Sequence, residues 1–201
     1  ETIEVENNIL DHNINYEYYL LNKPREVVST TNDEHGRKTV VDLVNTKTRI
    51  YPVGRLDYDT TGLLLLTNDG EFANLMMHPK NKIDKFYVAK VKGIITPEEL
   101  KTLKKGIVLD NKKIIPTRVK AKKIDKKSFT SIVEITVHDG INHEVKRLLE
   151  AVNHEVIKLK RESFGFLTLG TLKSGEKRKL TPKEVKDDID NNLYNIDINV
   201  P

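Results

Sequence analysis

The chain has 201 residues, enough for one large domain or two small lobes around a buried core. Hydrophobic residues make up 37% and charged residues 32%. No apolar run approaches a membrane span, and the absence of cysteine excludes disulfides, thiolate metal sites and a cysteine nucleophile. The formal charge of +4 conceals a block at residues 80–127 with 16 Lys and Arg against 5 Asp and Glu, which reads either as the footprint of a polyanion or as a solvated lysine-rich surface.

The start is acidic and polar, without the basic and apolar regions of a signal peptide, so a cytoplasmic location is expected. Ile3, Val5, Ile9 and Leu10 support at most a frayed strand. Tyr16, Tyr18 and Leu20 alternate into a strand that ends at Asn22-Lys23-Pro24, and a polar stretch with a His35-Gly36 turn follows. Residues 39–44 form a short helical or extended piece. Ile50, Tyr51 and Val53 lead into Gly54-Arg55-Leu56-Asp57, and Gly62 opens the apolar run 63–66, a buried strand closed by the Asn68-Asp69-Gly70 turn. A short helix is predicted over 71–78, stopped by Pro79, and a strand over 86–92. Thr96-Pro97-Glu98-Glu99 is a helix start with a capping threonine, and that helix stops before Gly106. Residues 112–127 read as solvent-facing strand and loop, and Val133, Ile135 and Val137 alternate. Val145, Leu148, Leu149 and Val152 then switch to helical spacing. Residues 156–160 resume strand, Gly165 and Gly170 mark turns, and Thr181-Pro182-Lys183-Glu184 opens a last short helix. Short strands with isolated helices imply an α+β fold.

Arg55-Leu56-Asp57 is the sharpest chemical feature. In an extended backbone Arg55 and Asp57 share a face while Leu56 enters the core, which holds a carboxylate near a cation at the edge of a buried run. Such an aspartate serves as nucleophile or base, or simply hydrogen-bonds a loop. Asp69 reads as structural. On the helix after Asp139-Gly140, His143, Lys146, Arg147 and Glu150 lie about a turn apart, opposite the apolar stripe, and Asn142 and His143 stand where phosphate meets helix amides. His143-Glu144 and His154-Glu155 read as surface pairs. No histidine has metal-ligand spacing with a second ligand, no phosphate-binding glycine loop is present, and Ser163 lacks the glycines of a nucleophile elbow, so neither metal nor cofactor is expected.

Tyr19-Leu20-Leu21-Asn22-Lys23-Pro24 and the run from Tyr51-Pro52-Val53-Gly54-Arg55-Leu56-Asp57 through Gly70 resemble the RsuA/RluB/RluE/RluF group of ribosomal RNA pseudouridine synthases. The resemblance continues through Leu75-Met76-Met77-His78-Pro79, Lys85-Phe86-Tyr87, Asn142-His143-Glu144-Val145-Lys146-Arg147 and Phe164-Gly165, over roughly residues 16 to 181. The central motif is most similar to the branch that acts on large-subunit ribosomal RNA near the peptidyl transferase centre, with small-subunit RNA as the alternative. The resemblance implies a mixed, mainly antiparallel sheet in two lobes around a catalytic cleft. It also implies cofactor-free isomerisation of uridine in RNA, and ribosomal RNA as the partner of a monomeric protein with no membrane contact.

By the same resemblance Asp57 is the catalytic carboxylate, attacking the ribose or the base before the uracil is turned and rejoined through C5. The target must leave its stack to reach it. Tyr87 stacks on the uracil and assists removal of the C5 proton, Lys146 pairs with Asp57, and Leu159 packs against the flipped base. Arg55, Asn142, His143 and Arg147, with Lys23 and Arg25 on the opposite lobe, are expected RNA contacts. Glu144 and Ile141 depart from the family pattern and remove favourable charge near the expected phosphate path. Relatives carry an N-terminal S4 RNA-binding domain, of which residues 1–15 read as a remnant or linker, and residues 182–201 read as a C-terminal helix and tail. Two rivals stand beside this reading. An inactive RNA-binding relative predicts damage at Asp57, Tyr87 or Lys146, all of which are present. A glycosidase using Asp57 and Asp59 needs two carboxyl groups flanking a bond, which neighbours two apart do not provide.

Overall fold

A computed structural model describes residues 15–198, so the frayed strand expected between residues 3 and 10 lies outside the described part. In chain order the elements are β1 (Tyr18–Lys23), α1 (Val40–Val44), β2 (Tyr51–Val53), β3 (Thr61–Thr67), α2 (Gly70–Met77) and a 3-10 turn (Pro79–Asn81). Next come β4 (Lys85–Lys92), α3 (Pro97–Lys105), the small hairpin β5 (Ile107–Leu109) and β6 (Lys112–Ile114), then β7 (Arg118–Asp125) and β8 (Thr130–Val137). The last elements are α4 (Glu144–Ala151), β9 (Val156–Phe164), β10 (Leu167–Thr168), β11 (Lys177–Lys179) and α5 (Pro182–Ile198). No described helix is long and apolar enough to cross a membrane.

Nine strands form one sheet in the order β11-β1-β3-β9-β4-β8-β7, with β2 and β10 paired at its sides. All of its pairings are antiparallel except β3 with β9, where Thr61 faces Lys160 and Gly62 faces Arg161. The expected lobes are therefore the two halves of a continuous sheet, joined at a two-residue parallel seam. Gly62 makes that seam possible. Its φ is +111°, and a Cβ there would lie 2.1 Å from the Arg161 carbonyl oxygen, so no side chain fits without moving the β9 backbone.

Local sequence explains most of the elements. Leu63, Leu64, Leu65 and Leu66 are all fully buried, because β3 has core on both sides. Leu63 and Leu65 pack with Phe72 and Met76 of α2 and Val185 of α5, while Leu64 and Leu66 pack with Val40 and Val44 of α1. The Thr96–Glu99 capping box forms as predicted, with Thr96 Oγ1 accepting from Glu99 N (3.2 Å) and Glu99 Oε1 accepting from Thr96 N (3.0 Å). Thr181 and Glu184 repeat it at the start of α5. That helix is not short: it runs 17 residues, and Val185 and Asp188 on it are buried. Asp69 caps α2 through Phe72 N (3.1 Å) and accepts the Tyr18 hydroxyl, a structural role as expected.

Candidate active site

A cleft of about 810 Å³ opens where the two halves meet. One wall is the irregular segment 54–60 between β2 and β3, and the other is the start of α4. Tyr87 of β4 and Leu159, Arg161 and Phe164 of β9 also line it. Residues 55–57 belong to no strand, and a turn at 58–59 follows them, with Thr60 N donating to the Asp57 carbonyl (3.0 Å). Leu56 still enters the core while Arg55 remains exposed, so the alternation of burial holds. Ser29 fastens the turn from below: its Oγ donates to the Leu56 carbonyl (2.8 Å) and accepts from Leu56 N (3.2 Å).

The carboxylate of Asp57 is one-third exposed and meets two groups from α4. His143 Nδ1 lies 2.9 Å and Lys146 Nζ 3.2 Å from its Oδ2. An ionised carboxylate only accepts, so His143 carries the proton on Nδ1 in this contact. Oδ1 of Asp57 has no hydrogen-bond partner among the described residues. Lys146 also donates to Asp59 Oδ1 (2.8 Å), which holds the Asp59 carboxyl below its ordinary range. Burial opposes the charge of Lys146, but the hydrogen bonds and attraction of Asp59 and Asp57 outweigh it and raise its pKa. His143 stands at the helix start with a left-handed backbone (φ 54°) and no capping hydrogen bond, which leaves its ring free to reach across the cleft.

Among the residues expected from sequence, Arg55, Asp57, Tyr87, Asn142, His143, Lys146 and Leu159 all line this one cleft. Arg147 does not: its guanidinium forks onto Asp110, at 2.9 and 2.8 Å. Arg25 is exposed close enough to Asp59 to lower its pKa, but it lies outside the cleft lining.

Lys23 requires a correction. It is fully buried and is no RNA contact. Its ammonium donates to the carbonyls of Thr60 (2.8 Å), Pro24 (3.0 Å) and Tyr58 (3.4 Å), tying down the turn that carries Asp57. Burial lowers its pKa to about 8, against the opposing pull of Asp59 and Asp57. Two other readings also change. His154 is buried, with Nδ1 2.7 Å from the Lys92 carbonyl and Nε2 2.7 Å from Glu99 Oε2. Glu144 is buried as well, so it does not stand on an exposed phosphate path. Burial and the nearby Asp139 raise its pKa, opposed by Lys85, and its Oε1 has no hydrogen-bond partner among the described residues.

Arg161 was not singled out from sequence. It is buried at the cleft wall, donates Nε to the Leu63 carbonyl (2.8 Å) across the seam, and lies 4.9 Å from the Phe164 ring centroid. One of its nitrogens, Nη2, has no hydrogen-bond partner among the described residues. Lys85, whose pKa is lowered by burial and by Arg161, lines the same wall. Lys85 stood in the Lys85-Phe86-Tyr87 motif of the resemblance without a role assigned to it, and Arg161 gave no signal beyond a basic residue after an apolar strand.

A carboxylate held by a lysine ammonium and an imidazole N–H, with an aromatic ring and an aliphatic side chain in the same cleft, is equipped for covalent or electrostatic work on a flat heterocycle. Comparison with known proteins gives the same class. The family model described as RNA pseudouridylate synthase matches residues 17–151, and the chain belongs to that family. A Bacillus subtilis protein described as ribosomal large subunit pseudouridine synthase B is 58% identical over 170 residues, covering 84% of this chain and 70% of that protein. An Aquifex aeolicus protein described as an uncharacterized RNA pseudouridine synthase is 41% identical over 170 residues, covering 84% and 68%. A solved structure titled as a pseudouridylate synthase superposes with a TM-score of 0.75 at 28% identity, covering 87% of this chain and 74% of that one.

Proposed function

We propose that the chain isomerises a uridine of large-subunit ribosomal RNA to pseudouridine, through a catalytic domain of residues 16–181 with Asp57 as the reacting carboxylate. The observation that carries this reading is the grip on Asp57: Lys146 and His143 both engage Oδ2, which leaves Oδ1 free to face a substrate. The Lys146 ammonium and the His143 ring fix the carboxylate's rotamer, so it can attack the ribose or the base, or stabilise an oxocarbenium-like sugar. Tyr87 and Leu159 supply a face for the flipped uracil, which must remain held after its bond to N1 breaks and until C5 bonds to the sugar. Tyr87, which lines the same cleft, serves in this reading as the base for the C5 proton, and Arg161 Nη2 as a donor for a uracil carbonyl. Arg55, Asn142 and, once displaced from Asp57, His143 sit at the rim for the flanking phosphates. The protein acts as a cytoplasmic monomer in this reading. The large-subunit assignment rests on the central motif and on the description of the 58%-identical relative.

The test incubates purified protein with large-subunit and small-subunit ribosomal RNA fragments, without added cofactor, and maps pseudouridine by carbodiimide modification and primer-extension stops. One large-subunit site is expected. Asp57→Asn keeps the shape and removes the charge, and should lower the rate by a factor on the order of 10⁴ or more with binding preserved. Full activity of that variant would sink the mechanism, and a small-subunit site would overturn the substrate.

A further inference from the structure

Strand alternation gives the β9-β4-β8-β7 half of the sheet two faces of opposite character. Ala89, Val119, Val133, Ile135 and Leu159 point to the side covered by α3 and α4 and are buried there. Tyr87, Leu159 and Arg161 reach the catalytic cleft from that same side. The alternate residues face the other way. Phe86, Val88, Ile132 and Thr136 are only partly buried, and none of them belongs to any of the three hydrophobic clusters of the fold.

This reverse face carries eight cations: Lys90 and Lys92 of β4, Arg118, Lys120, Lys122 and Lys123 of β7, and Lys158 and Lys160 of β9. Three carboxylates pair with them, and Glu155 lies 2.8 Å from Lys92. Glu134 lies 3.6 Å from Lys120 and 3.8 Å from Lys122, and Glu162 lies 3.3 Å from Lys160. Lys90, Arg118 and Lys158 have no carboxylate partner among the described residues. The register also sets Lys90 directly opposite Lys158, and like charges facing each other across neighbouring strands destabilise a sheet.

Lysine on an exposed edge commonly guards against edge-to-edge aggregation. That accounts for β7, which ends the sheet. It does not account for Lys90, Lys158 and Lys160, because β4 and β9 are interior strands. A protein partner is also disfavoured, since lysine is depleted from the centre of protein interfaces. A polyanion relieves the repulsion, and its backbone can run over the partly exposed Phe86, Val88 and Ile132.

We propose that this reverse face is a second RNA-docking surface, which grips phosphates of the same RNA at a distance from the flipped uridine. The proposal rests on the reading of the protein as an RNA-modifying enzyme and adds a contact region that the cleft does not contain. It also relocates the sequence's basic block: of residues 80–127, only Lys85 and Tyr87 line the cleft, whereas Lys90, Arg118, Lys120 and Lys122 lie on the reverse face.

The experiment uses the whole chain carrying Lys90→Gln, Lys158→Gln and Lys160→Gln together. Binding to a large-subunit ribosomal RNA domain and to a short stem–loop around the target uridine is measured between low and high salt. Each lost phosphate contact removes about 0.7–0.9 from the slope of log affinity against log salt. The slope for the long RNA should therefore fall by about 2, with affinity reduced roughly tenfold or more near physiological salt. Affinity for the stem–loop and the rate on it should stay within about twofold. As a control, Lys101→Gln, Lys104→Gln and Lys105→Gln remove the same charge from the exposed side of α3 and should leave the slope for the long RNA nearly unchanged. An unchanged slope in the reverse-face variant overturns the proposal, as does an equal fall in the α3 variant, which would reduce the effect to net charge. Pseudouridine formation by the unaltered protein on the same RNAs reads the proposed function separately: activity with an unchanged slope removes the second surface alone, and loss of both activity and RNA binding removes both.

Discussion

The two halves of the sheet differ in how they are covered. Around β1 and β3 there is core on both faces, with α2 and α5 on one side and α1 on the other. Around β4, β7 and β8 the core lies on one face only, under α3 and α4. Asp57 comes from the doubly covered half, on a turn secured by the buried Lys23 and Ser29. Tyr87 and Lys146 come from the singly covered half. The Asp57–Lys146 pair therefore spans the seam, and its geometry depends on the short β3–β9 pairing and the glycine that permits it. Among the described residues, the half that carries the carboxylate is covered on both faces, and the half that meets it is covered on one.

The largest effect that sharpens this contrast is on stability. Leu64→Ala empties a fully buried site in the doubly covered half and should cost about 2–5 kcal/mol. Val88→Ala, on the open face of the other half, should cost less than about 1 kcal/mol. Urea unfolding of both variants checks this, and equal losses would mean that the open face is covered in solution.

A smaller effect lies within α5. Asp188 is buried, its Oδ1 accepts from Phe166 N (3.1 Å), and its Oδ2 has no partner. Burial pushes its pKa from 3.8 up to about 6, against the opposing Phe166 amide and Asn192. Between these values the folded chain binds more protons than the unfolded one, so this group's contribution to stability falls as pH rises through that window. Asp188→Asn removes the buried charge while keeping an acceptor for Phe166. It should stabilise the protein at pH 7 by about 1–3 kcal/mol, with the gain shrinking toward zero near pH 4. A gain of equal size at both pH values would show that the cause is packing rather than ionisation.

Much of this contrast could be read in the sequence, for physical reasons. Four consecutive leucines before an Asn-Asp-Gly turn require a strand buried on both sides, and Val145, Leu148, Leu149 and Val152 require a helix with one wet face, which placed Lys146 correctly. The role of Lys23 was not legible, because the carbonyls that bury it belong to residues as far along the chain as Thr60. His154 escaped for the same reason: its partners, Lys92 and Glu99, come from β4 and α3. The charge block was visible as a number but not as a place. Alternation along β4 and β7 and the pairing of β4 with β9 decide which lysines face the cleft, and pairing is not written in a local pattern.

The smallest effect concerns Arg147, expected to touch RNA but held by Asp110 at the β5–β6 turn. Asp110 and Asn111 both have left-handed backbones, at φ 51° and 64°, as a tight two-residue hairpin turn demands. Asparagine tolerates that conformation, so Asp110→Asn removes the charge without straining the turn. The pair is largely exposed, and breaking it should change stability by less than about 0.5 kcal/mol. The released guanidinium stands one residue beyond Lys146 on α4, on the helix that forms the cleft wall. If it then takes a phosphate, RNA affinity at low salt should rise by about two- to fivefold, and the salt slope should steepen by about 0.7–0.9. The rate at saturating RNA should not change, because Arg147 makes no contact with Asp57 and meets the cleft lining only at the Asn142 carbonyl (3.5 Å). Unaltered affinity and slope would assign Arg147 to bracing the β5–β6 hairpin against α4, and would leave the cleft rim and the reverse face as the RNA-binding parts of the singly covered half.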